Sequence, residues 1–347
     1  MRVLALRKGD REEIGWYILS PMFTQAVRIL KARIGIRANE EDLLLPLPPE
    51  VALSSLLTDF HRVEEIEYGP GLDAYFLLSN EPGCPPQLEV GPEEVRARGD
   101  ILRLTQEAHD LRYTLFGNEG LLFRHTLLLL ESHYRIFSYH ACALYDEEGS
   151  RMYIAPGGAG SGKTCLILKG LELGLKLFSA EMTHFRVEGG RLTLYKGALV
   201  DNIRVGNLLY TYPEVAKALD WQRPQTEDVW WKKIAVDLSQ FQTPFDEITD
   251  CPLTLLFPHI EEERREVVAQ ALRGRREVRK MLFDNCTQKI GEPVLYYETI
   301  PVPSLDTPVS LRRRLEAVEQ FLHWVAEGEV LRLVAGAHNC WDAVRRR

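Results

Sequence analysis

The sequence predicts a mixed α/β fold with α+β character: a mixed-sheet core around a glycine-rich loop, preceded by a smaller N-terminal α/β domain. Three observations carry this prediction: a G-x-x-x-x-G-K-[ST] match at residues 157–164, hairpin patterns on both sides of it, and a Pro/Gly-rich segment at residues 81–92. Hairpins join antiparallel strands, whereas a purely parallel sheet needs long crossovers. The sheet around the loop is therefore expected to be mixed.

The first 95 residues are predicted to form the smaller domain. Short apolar runs predict strands at 3–6 and 16–19, and apolar spacing predicts helices at 23–34 and 51–60. The Pro/Gly-rich segment predicts a linker, which places the domain boundary near residue 95. No residue of this part is assigned chemistry, so we expect a recognition or dimerisation module.

The segments around the loop are predicted from local patterns. Residues 97–133 are expected to be largely helical. The later elements are expected as a hairpin of strands 134–145 and 152–155, a helix at 165–173, a strand at 175–178, a second hairpin at 184–195, a short helix at 213–219, strands at 234–238 and 253–258, and helices at 261–272 and 311–333. The turns Asp146–Gly149 and Glu188–Gly190 support the two hairpins.

The glycine-rich stretch fits the phosphate-binding P-loop, with a strand before it and a helix after it as the motif requires. Glycines let successive backbone N–H groups turn toward phosphate oxygens, and the start of the helix adds positive potential. Lys163 is expected to reach the β- and γ-phosphates, and the Thr164 hydroxyl to bind Mg²⁺. The residues expected to bind the nucleotide are Gly157, Gly158, Ala159, Gly160, Ser161, Gly162, Lys163, Thr164 and Cys165.

Composition excludes several other classes of protein. The 347 residues are 45% hydrophobic and 27% charged, an ordinary globular balance, and the net charge of −8 argues against nucleic acid as the main partner. No run of about 18 apolar residues is present, and early charges argue against a signal peptide. Six cysteines without C-x-x-C spacing predict neither a zinc site nor a redox pair. We expect a soluble, cytoplasmic protein with no membrane partner.

The arrangement resembles the catalytic domain of HPr kinase/phosphorylase, whose nucleotide-binding core is related to that of phosphoenolpyruvate carboxykinases. The resemblance is carried by the His-Ala-Cys-Ala strand at 140–143, by its spacing to the P-loop, and by segment 176–181, where the family has a strand ending in two aspartates. Segment 200–206 is a weaker match. The resemblance implies transfer of phosphate from ATP, or another nucleoside triphosphate, to a hydroxyl with Mg²⁺. It also implies a homo-oligomer, since members of this fold often assemble.

The chain departs from the family where the acids are expected. Ala180-Glu181 replaces the paired aspartates, which in the family bind metal and accept the proton of the attacking hydroxyl. Glu181 is therefore the expected base and, with Thr164, a magnesium ligand; its alternative is a surface glutamate. His140 is expected beside the phosphates, with a core histidine as its alternative. No clear counterpart of the family's later, HPr-engaging signature is found, so HPr is not the expected acceptor.

Weaker candidates surround these residues. His184, Asp201 and Arg204 follow the expected acid strand and are assigned to the site or to ordinary structural roles. The arginines at 264–279 are interleaved with glutamates and favour a solvated helix face, with contact to an anionic substrate as the alternative.

Two functions remain open at this stage. The first is a kinase, divergent from HPr kinase, that phosphorylates a protein serine or a small metabolite with Lys163, Glu181 and His140 as catalytic residues. The second is a nucleotide-binding regulatory or scaffold protein, which Ala180 favours. A motor or GTPase switch is disfavoured by the hairpins and by the lack of a recognisable Walker B or guanine-reading motif.

Overall fold

The computed structural model describes residues 22–45, 59–225, 227–261, 263–326 and 328–344. These residues form a mixed α/β structure with two large mixed sheets. The strands predicted at 3–6 and 16–19 lie outside the described residues, as does almost all of the helix predicted at 51–60.

The first described part is a six-stranded sheet in the order β3-β1-β2-β4-β6-β5. Its strands are β1 (Phe23–Ile29), β2 (Ala32–Ala38), β3 (Val63–Ile66), β4 (Ala74–Asn80), β5 (Gln87–Val90) and β6 (Glu94–Gly99). Strands β2, β4 and β6 are parallel, and the other pairs are antiparallel.

The helix predicted at 23–34 is wrong, because β1 and β2 form a hairpin there. Val27 and Ile29 on β1 and Ile34 and Ile36 on β2 are fully buried, whereas Arg28, Arg33 and Arg37 on the same strands are exposed. Such short apolar runs fit both helical and alternating spacing, and pairing with other strands decides between them.

The segment predicted as a linker contains strand β5, and the boundary predicted near residue 95 falls within β6. The sheet therefore continues to Gly99, where φ is +117° and a Cβ would lie 2.7 Å from the Pro85 carbonyl oxygen. The division of the chain into two domains stays a prediction.

The remaining elements build the second part. In chain order they are α1 (Ile101–Glu107), α2 (Leu121–Tyr134), β7 (Phe137–Asp146), β8 (Arg151–Pro156), α3 (Lys163–Glu172), β9 (Lys176–Ser179), β10 (Met182–Glu188), β11 (Arg191–Tyr195), β12 (Val200–Arg204), α4 (Pro213–Ala218), β13 (Lys233–Asp237), β14 (Glu247–Thr249), β15 (Leu253–Glu261), β16 (Val268–Ala271), α5 (Arg275–Gly291), β17 (Val294–Tyr296), β18 (Ile300–Val302), α6 (Pro308–Trp324) and β19 (Val330–Gly336).

The main sheet has the order β14-β11-β10-β7-β8-β15-β19-β16, with β9 also paired to β7. Strand β15 runs parallel to β8 and β19, and the other pairs are antiparallel. The mixed sheet and both predicted hairpins around the loop, β7–β8 and β10–β11, are confirmed. Separate two-stranded sheets pair β12 with β13 and β17 with β18.

The two faces of the main sheet are covered by different helices. Cys142 and Leu144 of β7 share an apolar cluster with α3, whereas Tyr139 and Ala141 share one with α5 and α6. Side chains alternate along a strand, so consecutive residues of β7 face opposite layers. The loop between β8 and α3 thus follows the C-terminal end of an interior strand, in a sheet that is covered on both faces.

Two predictions near the C-terminus are wrong. The helix predicted at 261–272 is instead the end of β15 followed by β16, and the helix predicted at 311–333 ends at Trp324 and is followed by β19. Helix α5 was missed. Its buried residues, Val278, Leu282, Cys286 and Ile290, recur every fourth position among charged residues, which is helical spacing.

Candidate functional site

The glycine-rich loop at residues 157–162 connects β8 to α3. Gly160 and Gly162 have φ values of +82° and +100°, which glycine adopts without strain. A Cβ on Gly162 would also lie 2.4 Å from Cγ1 of Ile260, so the neighbouring strand leaves no room for a side chain. Helix α3 begins at Lys163, directly after these glycines, so its free N–H groups line the loop.

Lys163 lies across the loop. Its Nζ donates to the carbonyl oxygens of Gly157 at 2.7 Å and Gly158 at 3.4 Å, and lies 3.0 Å from Nε2 of His140. The side chain is 8% exposed. A phosphate in the loop would offer this ammonium a charged partner in place of the two carbonyl oxygens.

Glu181 and His140 form the polar centre beside Lys163. His140 Nε2 lies 2.5 Å from Glu181 Oε1, and Glu181 Oε2 lies 3.9 Å from Lys163 Nζ. Burial alone would raise the pKa of Glu181, but the hydrogen bond with His140 and the charge of Lys163 hold it well below its usual range. Glu181 is therefore an anion at neutral pH, and the structure brings together three residues that the sequence predicts for the site.

Helix α5 holds His140 in place from the other side. Gln288 Oε1 lies 3.2 Å from Nδ1 of His140, and Asn285 Nδ2 donates to the His140 carbonyl oxygen at 2.9 Å. Both residues were missed by sequence reasoning, since they lie more than 140 positions from His140 on a helix that was not predicted.

Thr164 and Asp201 form a second pair, joined by a side-chain hydrogen bond. Asp201 is 7% exposed, and one of its carboxylate oxygens, Oδ2, has no hydrogen-bond partner. Burial and the nearby charge of Glu181 raise its pKa to about 6, against a lowering contribution from a hydrogen bond with Thr164. Asp201, one of the weaker candidates from the sequence, thus lies beside Thr164 in the structure.

Ala180 and His184 are both buried. Ala180 is 1% exposed and donates its N–H to the Ala198 carbonyl oxygen at 2.7 Å. His184 is fully buried, its Nδ1 lies 2.7 Å from Ser138 Oγ, and its ring stacks on Phe60 with a centroid distance of 5.4 Å. Burial lowers its pKa to about 3, so this ring is neutral and has a structural role.

A buried carboxyl group from the N-terminal part also lies near the site. Asp59 is 3% exposed, and its Oδ2 has no hydrogen-bond partner. Burial raises its pKa, while the charges of Lys289 and Lys163 act in the opposite direction. Lys289 in turn pairs with Glu119. Asp59 belongs to no sequence motif, and only its position in the structure, near Lys289 and Lys163, identifies it as a candidate.

The other candidates have different partners. Arg204 is exposed and lies 6.0 Å from the ring of Trp231. In the arginine-rich stretch, Arg279 pairs with Glu319 on the surface, which supports a solvated role, whereas Arg264 pairs with Glu261 and is partly buried.

Comparison with models of protein families and with curated proteins finds no match to this chain. Within the described residues, no group of three or more His, Cys, Asp or Glu side chains is arranged to hold a metal ion. No helix of the described part has the length and apolarity needed to cross a membrane.

Proposed function

We propose that this chain is a kinase that binds a nucleoside triphosphate, expected to be ATP, at residues 157–165 and transfers phosphate to a hydroxyl group with the help of Mg²⁺. The observation that carries the proposal is the contact of Glu181 with His140 and Lys163 beside the P-loop. If the glycine-rich loop had only a structural role, it would not need an ionised carboxylate beside Lys163, the residue expected to contact the γ-phosphate. The proposed core is of the HPr kinase type.

The roles follow from what phosphoryl transfer requires. The acceptor oxygen bonds to the γ-phosphorus, the bond from that phosphorus to the β-phosphate oxygen breaks, and the nucleoside diphosphate leaves. Glu181 accepts the hydrogen bond of the acceptor hydroxyl, orients it and receives its proton. Lys163 and the N-terminus of α3 neutralise charge on the phosphates.

His140 couples the lysine to the acid. Its Nε2 can accept from Lys163 or donate to Glu181, but a single ring nitrogen cannot do both. The short contact with Glu181 requires the hydrogen on Nε2, so His140 donates to Glu181 and the carbonyl oxygens of Gly157 and Gly158 hold Lys163. We infer that this hydrogen bond holds the carboxylate in position for the acceptor.

Thr164 and Asp201 fit a magnesium ion. A hydroxyl and a buried carboxylate with a free oxygen are the hard oxygen ligands that Mg²⁺ prefers, and Mg²⁺ usually needs only one or two protein groups beside phosphates and water. Bound there, the ion would neutralise charge on the phosphates. Glu181 was predicted as a second ligand, but its oxygens face His140 and Lys163. Asp201 is therefore our preferred partner for Thr164.

The Glu181→Gln variant tests the proposal. We expect phosphate transfer from labelled ATP, assayed in a cell extract, to fall at least 100-fold, because the amide cannot take the proton. Nucleotide affinity should change little. Glu188→Gln, an exposed position at the end of β10, is the matched control. Unchanged transfer in Glu181→Gln would remove this residue from the mechanism.

The regulatory alternative rests on Ala180, which is packed in an apolar cluster where the family has a carboxylate. The same labelling experiment separates the two functions. Label on a specific protein or metabolite supports the kinase, whereas tight nucleotide binding without any transfer supports a regulatory protein.

A further inference from the structure

Three connections of the main sheet lie at the edge that carries the glycine-rich loop. Strands β8, β15 and β19 run in the same direction, since β15 is parallel to both of the others. The glycine-rich loop follows β8, segment 263–267 follows β15, and segment 337–344 follows β19. Ligands of open α/β sheets bind outside the carboxyl ends of parallel strands, so the ends of β15 and β19 are candidate contacts for a nucleotide.

The ends of β15 and β19 lie directly beside the glycine-rich loop. Strand β15 continues past the end of β8, and its Ile260 N–H donates to the Ser161 carbonyl oxygen at 3.4 Å. A Cβ on Gly162 would lie 2.4 Å from Cγ1 of the same isoleucine. Ile260 in turn lies opposite Ala335 of β19. These two strand ends therefore form a wall along one side of the loop.

The proposed catalytic residues lie on the other side of the loop. Strand β7 flanks β8 on the side opposite β15, and its His140 contacts Glu181 and Lys163. In the proposed function, Lys163 contacts the β- and γ-phosphates and the acceptor approaches at Glu181. The γ-phosphate end of a nucleotide is thus directed toward β7. The nucleoside, at the opposite end of the triphosphate, would extend toward β15 and β19.

Side-chain hydrogen bonds hold the segment after β19 against the first turns of α3. The Tyr212 hydroxyl lies 2.8 Å from the Ala337 carbonyl oxygen and 3.3 Å from that of Cys165, the third residue of α3. Trp341 Nε1 donates to the Leu166 carbonyl oxygen at 2.9 Å. A nucleotide with its phosphates at the N-terminus of α3 would therefore have this segment as a neighbour.

His338 carries an exposed ring in this segment. It directly follows Ala337, and its ring centroid lies 6.1 Å from that of the buried Tyr212. The backbone around it is fixed by Asn339, whose Oδ1 accepts from the Gly336 N–H at 2.7 Å. An exposed aromatic ring on a fixed backbone offers a planar surface on which a nucleobase can stack.

We propose that the nucleoside of the bound triphosphate lies against the ends of β15 and β19, with its base stacked on the ring of His338. This inference rests on the proposed nucleotide binding and adds to it the subsite for the base. The amide of Asn339 is already used by backbone groups, since its Nδ2 donates to the Arg265 carbonyl oxygen at 2.9 Å. Stacking on His338 is therefore the contribution to test.

Two ligands separate the contribution of the base from that of the phosphates. Calorimetric titration with Mg²⁺ measures binding of adenylyl imidodiphosphate, a non-hydrolysable ATP analogue, and of inorganic tripolyphosphate, which has no base. The variants are His338→Ala, His338→Phe and His323→Ala. His323 is an exposed histidine on α6, which covers the opposite face of the sheet from α3, and serves as the matched control.

We expect His338→Ala to weaken binding of the ATP analogue about fivefold or more, because a stacking partner of the base is lost. Binding of tripolyphosphate should be unchanged in the same variant, which also shows that the loop is folded. His338→Phe keeps an aromatic ring and should bind the analogue like the parent, as should His323→Ala.

Photolabelling locates the base directly. In 2-azido-ATP the reactive group is attached to the adenine, so irradiation marks the residues that surround the base. After proteolysis and mass spectrometry, we expect the adducts in segments 259–265 and 336–341.

Equal weakening of both ligands by His338→Ala would contradict the proposal, because the histidine would then act on the phosphates. Unaltered binding of the analogue, or adducts confined to other segments such as 204–212, would place the base elsewhere and also overturn it. These outcomes leave nucleotide binding and transfer intact. Failure of the proposed function is distinct: a parent protein that binds neither ligand is not a nucleotide-binding protein, and one that binds both without transfer is not a kinase but keeps the base subsite.

Discussion

In the proposed magnesium site, the protonation state of Asp201 depends on its surroundings. It is buried beside Thr164 and near Glu181, and its raised pKa of about 6 places its titration close to physiological pH. Glu181 is held ionised by the opposite effect, since His140 and Lys163 outweigh its burial. Two carboxyl groups near one lysine are thus driven apart in pKa, an arrangement that is common at functional sites.

We predict that Mg²⁺-dependent nucleotide affinity weakens as the pH falls through about 6, because protonated Asp201 no longer binds a cation. Asp201→Asn should lose about 10- to 100-fold of this affinity at pH 7.5. Binding of a fluorescent, non-hydrolysable nucleotide with and without Mg²⁺ from pH 5 to 8 measures both effects. Titration of the nucleotide's own phosphate is common to the parent and the variant, so their difference isolates Asp201.

The stability of the Asp201→Asn variant provides a control, because the direction of the change in the free energy of unfolding can be predicted. Since the folded state raises the pKa of Asp201, the cost of ionising it in the folded state is absent below the usual pKa of 3.8, grows as the pH rises to about 6, and is constant above that. Asp201→Asn should therefore stabilise the nucleotide-free protein at pH 7.5 by about 3 kcal/mol, and leave it unchanged at about pH 3. Destabilisation at pH 7.5 would show a structural role instead.

At the scale of single elements, helices α2 and α6 are joined by a buried ion pair. Arg314 on α6 is fully buried and donates to Glu131 Oε1 at 2.9 Å and Oε2 at 2.8 Å, and also to Asp306 Oδ1 at 2.8 Å. Removing one member of such a group leaves charge buried without a partner. The network fixes the position of α6 against the helix that covers the N-terminal sheet.

We predict that Arg314→Met lowers the free energy of unfolding by about 3–5 kcal/mol. The neighbouring Arg313→Met, which changes an exposed residue on the same helix, should alter it by less than about 0.5 kcal/mol. Urea unfolding followed by circular dichroism measures both variants. If the two variants unfold at the same urea concentration, the buried pair does not stabilise the contact between α2 and α6.

An element could be predicted from the sequence when the residues that define it lie close together in the chain. The β7–β8 and β10–β11 hairpins and helix α3 were predicted correctly, since each is bounded by a turn or the P-loop within a few residues. The segments at 23–34 and 261–272 were predicted as helices because their apolar residues fit more than one period. Strand pairing decides the outcome: β1 pairs with the adjacent β2 and the more distant β3, and β16 pairs with the distant β19.

Some residues of the candidate site could likewise be predicted from the sequence, and others could be found only in the structure. Lys163, Thr164 and Glu181 follow from the P-loop and from the strand after it, and His140 from the strand before it. Asp59, Asn285 and Gln288 come from distant parts of the chain and carry no motif. Only the fold brings α5 and the segment before β3 to the loop, so these residues could not be placed from the sequence.

At the scale of the whole molecule, residues 59–62 connect the N-terminal part to the P-loop core. Phe60 forms a β-bridge with Gly197, stacks on His184 of β10 and contacts Phe123 of α2 at a centroid distance of 5.4 Å. The imidazole of His61 lies 3.2 Å from the carboxylate of Asp246, which also pairs with Arg62. One apolar cluster extends from the first sheet to residues of β10 and β11.

This shared cluster predicts that the two parts unfold together and that Phe60 couples them. Phe60→Ala should lower the free energy of unfolding by about 3–5 kcal/mol, because a buried ring that contacts both α2 and β10 leaves a cavity. Phe60→Leu, which keeps most of the volume, should cost less than half as much.

Urea unfolding with and without nucleotide tests whether the two parts unfold together. Since nucleotide binds only the folded core, it should raise the midpoint of the whole transition in the parent protein. Two separate transitions in the parent, of which nucleotide shifts only one, would show that the N-terminal sheet folds independently of the P-loop.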